Sequence, residues 1–469
     1  MKAPELLSPA GTLKSMRYAF AYGADAIYAG MPRYSLRVRN NDFLEDNLRI
    51  GIDEAHAAGK KFFMTVNLSP HNAKLKTFIK DMTPLIEMQP DSLIMADPGL
   101  IMMVRKQWPD MPIHLSVQAN TVNWATVQFW KNAGISRVIL SRELSLDEIS
   151  EIRDNCPDME LEVFVHGALC IAYSGRCLLS GYFNHRDPNQ GTCTNSCRWE
   201  YKTEAASEDI AGVYRPTAAD ILPLEAVGSA GLEGFDLSGG EAGAFGPTGS
   251  DTRHPKADDV YFIEEPNRPG ELMPIEEDEH GTYILNSKDL RAVEHVQALA
   301  RIGVDCLKIE GRTKSHYYVA RTAQVYRRAI DDAVAGKPFD PSLIAELDNL
   351  AHRGYTDGFF ERHHTKEYQN YLEGVSKHRE QQFVGEITSV QGQWAEVNIK
   401  NKLAVGDNVT FMLPDGNVID AIAQMQTLEG ADMIEAPGGG YQVRIKLPAG
   451  SEVHGDRLKY GLIAKHLNG

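Results

Sequence analysis

Apolar positions in the first 170 residues form short continuous runs separated by amphipathic stretches. The runs have strand length and fall at residues 5–7, 26–28, 62–66, 92–95, 113–117, 137–140 and 161–165. Between them, segments such as 13–23, 47–58 and 123–133 repeat apolar residues at helical spacing. Residues 145–154 (SLDEISEIRD) open with the Ser, Asp and Glu that favour a helix start. Strands that are apolar on both faces and alternate with helices indicate a parallel sheet covered by helices. Seven such units, with an eighth strand at 304–309, predict an α/β fold of the (β/α)8 barrel type. A doubly wound open sheet is the competing architecture. No G-x-G-x-x-G follows the first strand, which weakens it.

A long helix over 314–335 is predicted to close the barrel. From residue 383 the pattern changes to period two, in FVGEITSV, WAEVNIK, NVTFML and YQVRIKL. Short alternating strands of this kind predict a small antiparallel β-barrel. The expected organisation is a catalytic barrel over 1–336 with an insertion at 201–263, a connector over 337–380 and an all-β domain over 381–469. Within the region after the insertion, 282–285 reads as a strand and Asn286-Ser287 as the cap of a following helix.

Charge refines this picture. The chain of 469 residues carries a formal charge of −16, which by itself disfavours a nucleic-acid partner. Residues 201–280 hold eighteen acidic against five basic residues, leaving only −3 for the rest. The acidity is therefore local. The N-terminus MKAPELLSPAG has no apolar core of a signal peptide, and no apolar run reaches membrane-spanning length. A cytoplasmic protein with no membrane partner is expected.

The chemistry concentrates after the seventh strand. Four of the six cysteines, Cys170, Cys177, Cys193 and Cys197, lie within residues 161–200, with six, fifteen and three residues between them. Thiols clustered on polar, Gly-containing loops form a metal-ligand pattern. The open first spacing leans towards a 4Fe–4S cluster, with zinc as the other metal. Disulfides are not expected in a reducing compartment. Cys156 and Cys306, which lie apart, read as packing residues.

In a (β/α)8 barrel the loops after the strands form the active face. Those loops carry Ser8-Pro9-Ala10-Gly11, Asn67, Asp97-Pro98-Gly99, Gln118 and Asn120, Arg142-Glu143, His166, and Glu310-Gly311-Arg312. His166 is a candidate partner of a nucleophilic Cys, or a ring that bonds loop backbone or a cluster sulfur. Glu310 and Arg312 are either an ion pair at the rim or a contact to substrate or phosphate. Arg176 either tunes the metal centre or meets a phosphate, or is a solvated loop residue.

The runs EVFVHGALCIAYSGRC, GTCTNSCRWEY, RPGELMPIEEDEHGTYILNSKDL and LKIEGRTKSHYYVA resemble the collagenase-like peptidase family over nearly the whole chain. The branch they are most similar to modifies tRNA. The resemblance implies formation of 5-hydroxyuridine at the wobble position, dependence on prephenate, and an iron–sulfur cluster ligated by Cys170, Cys177, Cys193 and Cys197. It further implies the tRNA anticodon loop as partner, with an electron donor or a cluster-delivery protein. In that setting Gln118 and Asn120 either bond the edge of a uracil or satisfy loop backbone. Tyr173 either stacks on an exposed base or packs in the core. The peptidase label is the alternative function, yet the chain has no H-E-x-x-H and no G-x-S-x-G.

Overall fold

The computed structural model describes residues 1–31, 33–35, 42–68, 70, 72–169, 288–352, 354–361, 381–448 and 458–467 in full. It describes the backbone alone for strands within 172–177 and 202–284. Eight parallel strands close into a barrel. They are β1 (Glu5–Pro9), β2 (Ala26–Ala29), β3 (Lys61–Val66), β4 (Ser92–Met95), β5 (Ile113–Leu115), β6 (Arg137–Ile139), β7 (Glu160–Ala168) and, much later in the chain, Cys306–Ile309. That last strand pairs in parallel with both β7 and β1, which completes the ring.

Between β7 and the closing strand come β8 (Ala172–Tyr173), β9 (Arg176–Cys177) and a five-stranded antiparallel sheet, β10 to β14. The members of that sheet are Lys202–Glu208, Tyr214–Pro216, Val260–Glu264, Leu272–Asp278 and Gly281–Ile284. Next comes β15 (Asp289–Arg291), then the closing strand as β16 and β17 (Tyr355–Thr356). β15 runs antiparallel to the far end of β7, and β17 parallel to β15, so two further strands extend the barrel sheet beside the seam.

Local chemistry explains the helices. Ser145 and Glu148 form a reciprocal capping box at the start of Leu146–Asn155. Asp97 caps Pro98–Gln107 by accepting from the Leu100 N–H at 2.9 Å, so the Asp97-Pro98-Gly99 motif is a helix start. The helix His316–Val334 buries twelve residues against the barrel, Tyr317, Tyr318 and Tyr326 among them. No helix among the described residues is long and apolar enough to cross a membrane.

Three expectations need correction. β1 extends through Ser8 and Pro9, because both pair with β2. β5 stops at Leu115, and Val117–Ala119 turns as a 3-10 helix ending on Asn120 with a left-handed φ of 52°. The helix expected directly after Asn286-Ser287 is instead β15, because its backbone pairs with His166, Gly167 and Ala168; Asn286 and Ser287 lie outside the described residues.

Polar groups also line the barrel interior. Glu162, fully buried, receives Lys308 Nζ at 2.8 Å and Arg137 Nη1 at 3.4 Å. The same guanidinium reaches Glu5 at 2.7 Å. Lys308 sits over the Tyr28 ring at 4.4 Å, so its charge points into the barrel. Cys156 and Cys306 are buried thiols, as packing required.

The C-terminal segment forms an eight-stranded antiparallel sheet with its own apolar core. Three of its residues, Met412, Leu462 and Ala464, belong to the barrel core instead. Tyr22 Oη lies within hydrogen-bond reach of the Met412 and Tyr460 carbonyls, at 2.8 and 2.9 Å. Glu386 joins the two parts by meeting both Lys14 and His316, the latter at 3.0 Å.

Two outcomes are expected. Glu162→Ala leaves Lys308 and Arg137 buried without their shared carboxylate and should cost about 3–5 kcal/mol in urea unfolding; a loss below about 1 kcal/mol, the scale of an exposed pair, would contradict this account. The His316 and Lys14 contacts hold the Glu386 carboxyl down at about 2 despite its partial burial. A depressed carboxyl stabilises above its ordinary range and loses that contribution as pH falls through its folded-state value. Stability attributable to Glu386 should therefore vanish as pH falls from about 4.5 to about 2, and Glu386→Gln should remove that dependence. Acid unfolding followed by circular dichroism compares the two proteins.

Candidate active site

The mouth of the barrel is built at the C-terminal strand ends. After β6, the Arg142 guanidinium lies over the Phe164 ring at 3.9 Å. Its Nη2 reaches Glu310 Oε2, after β16, at 3.5 Å. That is a loose ion pair between mostly buried side chains, and either member can re-pair with a ligand. β7 and β16 approach closely here. Gly167 has a φ of +106°, and a Cβ on it would come within 2.3 Å of the Glu310 carbonyl oxygen. Only glycine fits.

Arg312 is buried, and its Nη1 donates to Ser35 Oγ at 2.6 Å and Thr65 Oγ1 at 2.9 Å. The ion pair considered for Glu310 and Arg312 is thus replaced by two separate arrangements: Glu310 faces Arg142, and Arg312 is held by the hydroxyls of Ser35, after β2, and Thr65, within β3. Ser35 and Thr65 escaped the sequence reading, since isolated Ser and Thr carry no spacing signal.

The turn after β5 is organised by its own amides. Ser116 Oγ donates to Gln118 Oε1 at 3.1 Å, and Asn120 Nδ2 donates to the Gln118 carbonyl at 3.0 Å. Asn120 thus bonds loop backbone, whereas the Gln118 amide meets the Ser116 hydroxyl. Asn120 nevertheless keeps a buried Oδ1 without a hydrogen-bond partner among the described residues, as do Thr121 Oγ1 and Ser141 Oγ. Thr121 and Ser141 are joined by a backbone hydrogen bond of 3.1 Å. Buried polar atoms are normally satisfied. The three buried orphans follow the neighbouring strands β5 and β6 at the C-terminal end of the barrel.

His166 is placed differently from the mouth residues. The β7–β16 register shifts at Lys308/Ile309, pairing Phe164 with Lys308 and His166 with Ile309. This bulge brings the His166 ring to the side covered by His316–Val334. There it lies 5.8, 5.5 and 5.5 Å from the Tyr318, Tyr326 and Tyr355 rings. Its Nδ1 is 3.4 Å from Tyr326 Oη, and its Nε2 has no partner among the described residues. Burial, reinforced by the charges of Arg291, Lys314 and His352, pushes the ring down to about 3. His166 is therefore neutral near pH 7, suited to holding a hydrogen bond but not to carrying a charge.

Of the thiol set, Cys177 lies in β9, where its backbone pairs with Ala172 of β8; Tyr173 pairs with Arg176 in the same two-stranded hairpin. Cys170, Cys193 and Cys197 lie outside the described residues, as do the side chains of Cys177, Tyr173 and Arg176. The donor set itself, four thiols after one barrel strand, suits iron–sulfur ligation.

The chain is similar to peptidase family U32 over residues 11–370 and to the C-terminal domain of that family over 379–456. It is 58% identical over 475 residues to tRNA hydroxylation protein P of Escherichia coli (strain K12), covering all of this chain and 98% of that one. It is also 58% identical over 466 residues to tRNA hydroxylation protein P of Haemophilus influenzae, covering 99% and 96%. Among solved structures it is similar to the U32 peptidase Mk0906, with 15% identity, a TM-score of 0.33, and coverage of 42% of this chain and 86% of that one.

The site geometry makes one spectroscopic prediction. In a histidine NMR titration, the His166 ring should stay neutral down to about pH 3. A midpoint near the ordinary imidazole value of about 6.5 would show that its aromatic surroundings have been misread.

Proposed function

The chain belongs to peptidase family U32, and we propose that it is a tRNA hydroxylase that forms 5-hydroxyuridine at the wobble position. The observation that carries this reading is the end-to-end similarity, at 58% identity, to two proteins named for tRNA hydroxylation. The mouth of the barrel is consistent with it. A wobble base in an anticodon loop is single-stranded and can be splayed into a pocket. Asn120, Thr121 and Ser141 offer polar atoms for the edge of a uracil. Arg142 and Arg312 carry positive charge at the barrel mouth that suits a backbone phosphate or a carboxylate of prephenate. The locally acidic 201–280 segment accounts for most of the charge of the chain, so a nucleic-acid partner remains compatible with −16 overall.

Cys170, Cys177, Cys193 and Cys197 would hold a 4Fe–4S cluster, which when bound supplies one-electron transfer. The residues of the chain do the rest. Arg142 and Glu310 exchange their loose mutual pair for contacts to substrate. Arg312, braced by Ser35 and Thr65, keeps a fixed charge at the barrel mouth. Neutral His166 and Tyr326 support β7 directly before the cysteine segment, so they position the loop rather than touch the base. An electron donor or a cluster-delivery protein completes the reading on the partner side.

The family description itself favours peptide hydrolysis as a second reading. Cleavage of unfolded or collagen-like peptides by the pure, chelator-treated protein would support it.

In a strain lacking this protein, Cys170→Ala should leave 5-hydroxyuridine in tRNA at background, whereas the wild type restores it. Arg142→Ala should lower the level with the metal content unchanged. Restoration by Cys170→Ala to the wild-type level would defeat the catalytic role of the cluster. Anaerobic purification with iron and sulfide assay tests the cofactor, and a colourless protein with stoichiometric zinc would overturn it.

A further inference from the structure

A second group of ligand-type side chains, distinct in residues from the cysteines and the mouth groups, comes together near the end of β15. His295 ends the 3-10 turn Val293–His295 after β15, and Asp357 and Glu361 flank the turn after β17. One donor atom from each lies within 4.8 Å of the others. His295 is 7% exposed, and its Nε2 has no hydrogen-bond partner among the described residues. Nε2 nonetheless points at the carboxylates, 3.5 Å from Asp357 Oδ2. That separation is long for a hydrogen bond. It suits two ligands of one ion, since donors at about 2.1 Å from a metal in tetrahedral array lie about 3.4 Å apart.

The surroundings hold these groups in place. The Phe360 ring lies 5.6 Å from that of His295. The Phe360 carbonyl accepts from the Leu146 N–H at 3.2 Å, tying the turn to the start of the helix Leu146–Asn155. Gly358 adopts a φ of +69°, and a Cβ there would meet the Leu290 side chain of β15 at 3.1 Å. The donors thus come from two turns that are packed before any ion arrives.

We propose that His295, Asp357 and Glu361 bind a divalent first-row transition ion such as Mn(II), Fe(II) or Zn(II). One imidazole among two carboxylates argues against Ca(II) and Mg(II), which favour oxygen ligands alone. Among the described residues the set contains no thiolate, so its ligand chemistry differs from that of four cysteines. Glu361 is exposed, so the open side of the ion faces solvent and keeps positions for water. The ion clamps the β17 turn to the 3-10 turn. It thereby fixes β15, the strand that pairs with His166, Gly167 and Ala168 just before the cysteine segment.

The test is Mn(II) uptake by the full-length protein after anaerobic dialysis against a chelator, read from the loss of the free Mn(II) electron paramagnetic resonance signal. Mn(II) prefers oxygen and nitrogen donors, so the thiols do not contribute to this signal. The wild type should bind a single equivalent. Glu361→Gln, at an exposed position that folding tolerates, and Asp357→Asn should weaken binding by about tenfold or more, at least the loss seen when an outer-shell partner is removed. Cys170→Ala should bind as the wild type does. No uptake by the wild type, or equal uptake by the wild type and both carboxylate variants, would overturn the site.

Discussion

The seam between β7 and β16 is the constraint on which the rest depends. These strands are separated by some 140 residues of chain, yet they must pair for the barrel to close. Two features hold them together. Inside the barrel, Lys308 of β16 and Glu162 of β7 form a fully enclosed ion pair. At the top, Gly167 lets the β7 backbone pass against the Glu310 carbonyl. A side chain at position 167 would meet that carbonyl and force the strands apart there. The buried pair also sets register, since a slip by one residue would point Lys308 into the helix layer without its carboxylate.

From that seam the functional geometry follows. The bulge opposite Lys308/Ile309 separates two environments at the end of β7. Phe164 stays on the barrel side, under Arg142, where the Arg142–Glu310 pair guards the mouth. His166 goes to the helix side among three tyrosines. The same strand then leads into the cysteine segment, with β15 paired to its last three residues. One strand thus connects the arginine at the barrel mouth, a neutral buried histidine and the proposed metal centre. The C-terminal sheet adds no group to the mouth among the described residues. Its contribution is to cover Tyr22 and His316 through Met412, Tyr460 and Glu386, which anchors the helix that closes the barrel.

The sequence by itself determined the eight strands and most of the helices, because continuous apolar runs and capping residues such as Ser145 are local signals that need no partner to be read. It determined the change to an antiparallel C-terminal domain for the same reason. It also marked Gln118, Asn120, Glu310 and Arg312, since strand order alone assigns their loops to one rim, and it singled out His166 and the four cysteines by residue type. Tertiary structure alone decided how those residues combine. Arg142, not Arg312, became the partner of Glu310, because the chain turns at Gly311 and carries Arg312 towards the hydroxyls of Ser35 and Thr65. A bulge redirected His166, and β15 replaced an expected helix, because backbone pairing with a distant strand outweighs local propensity. The His295, Asp357 and Glu361 group was invisible in one dimension, since His295 stands some sixty residues from the two carboxylates and meets them only where two turns pack. Local pattern fixes which elements form; which side chains meet is a property of long-range contacts, and those exist only once the barrel has closed.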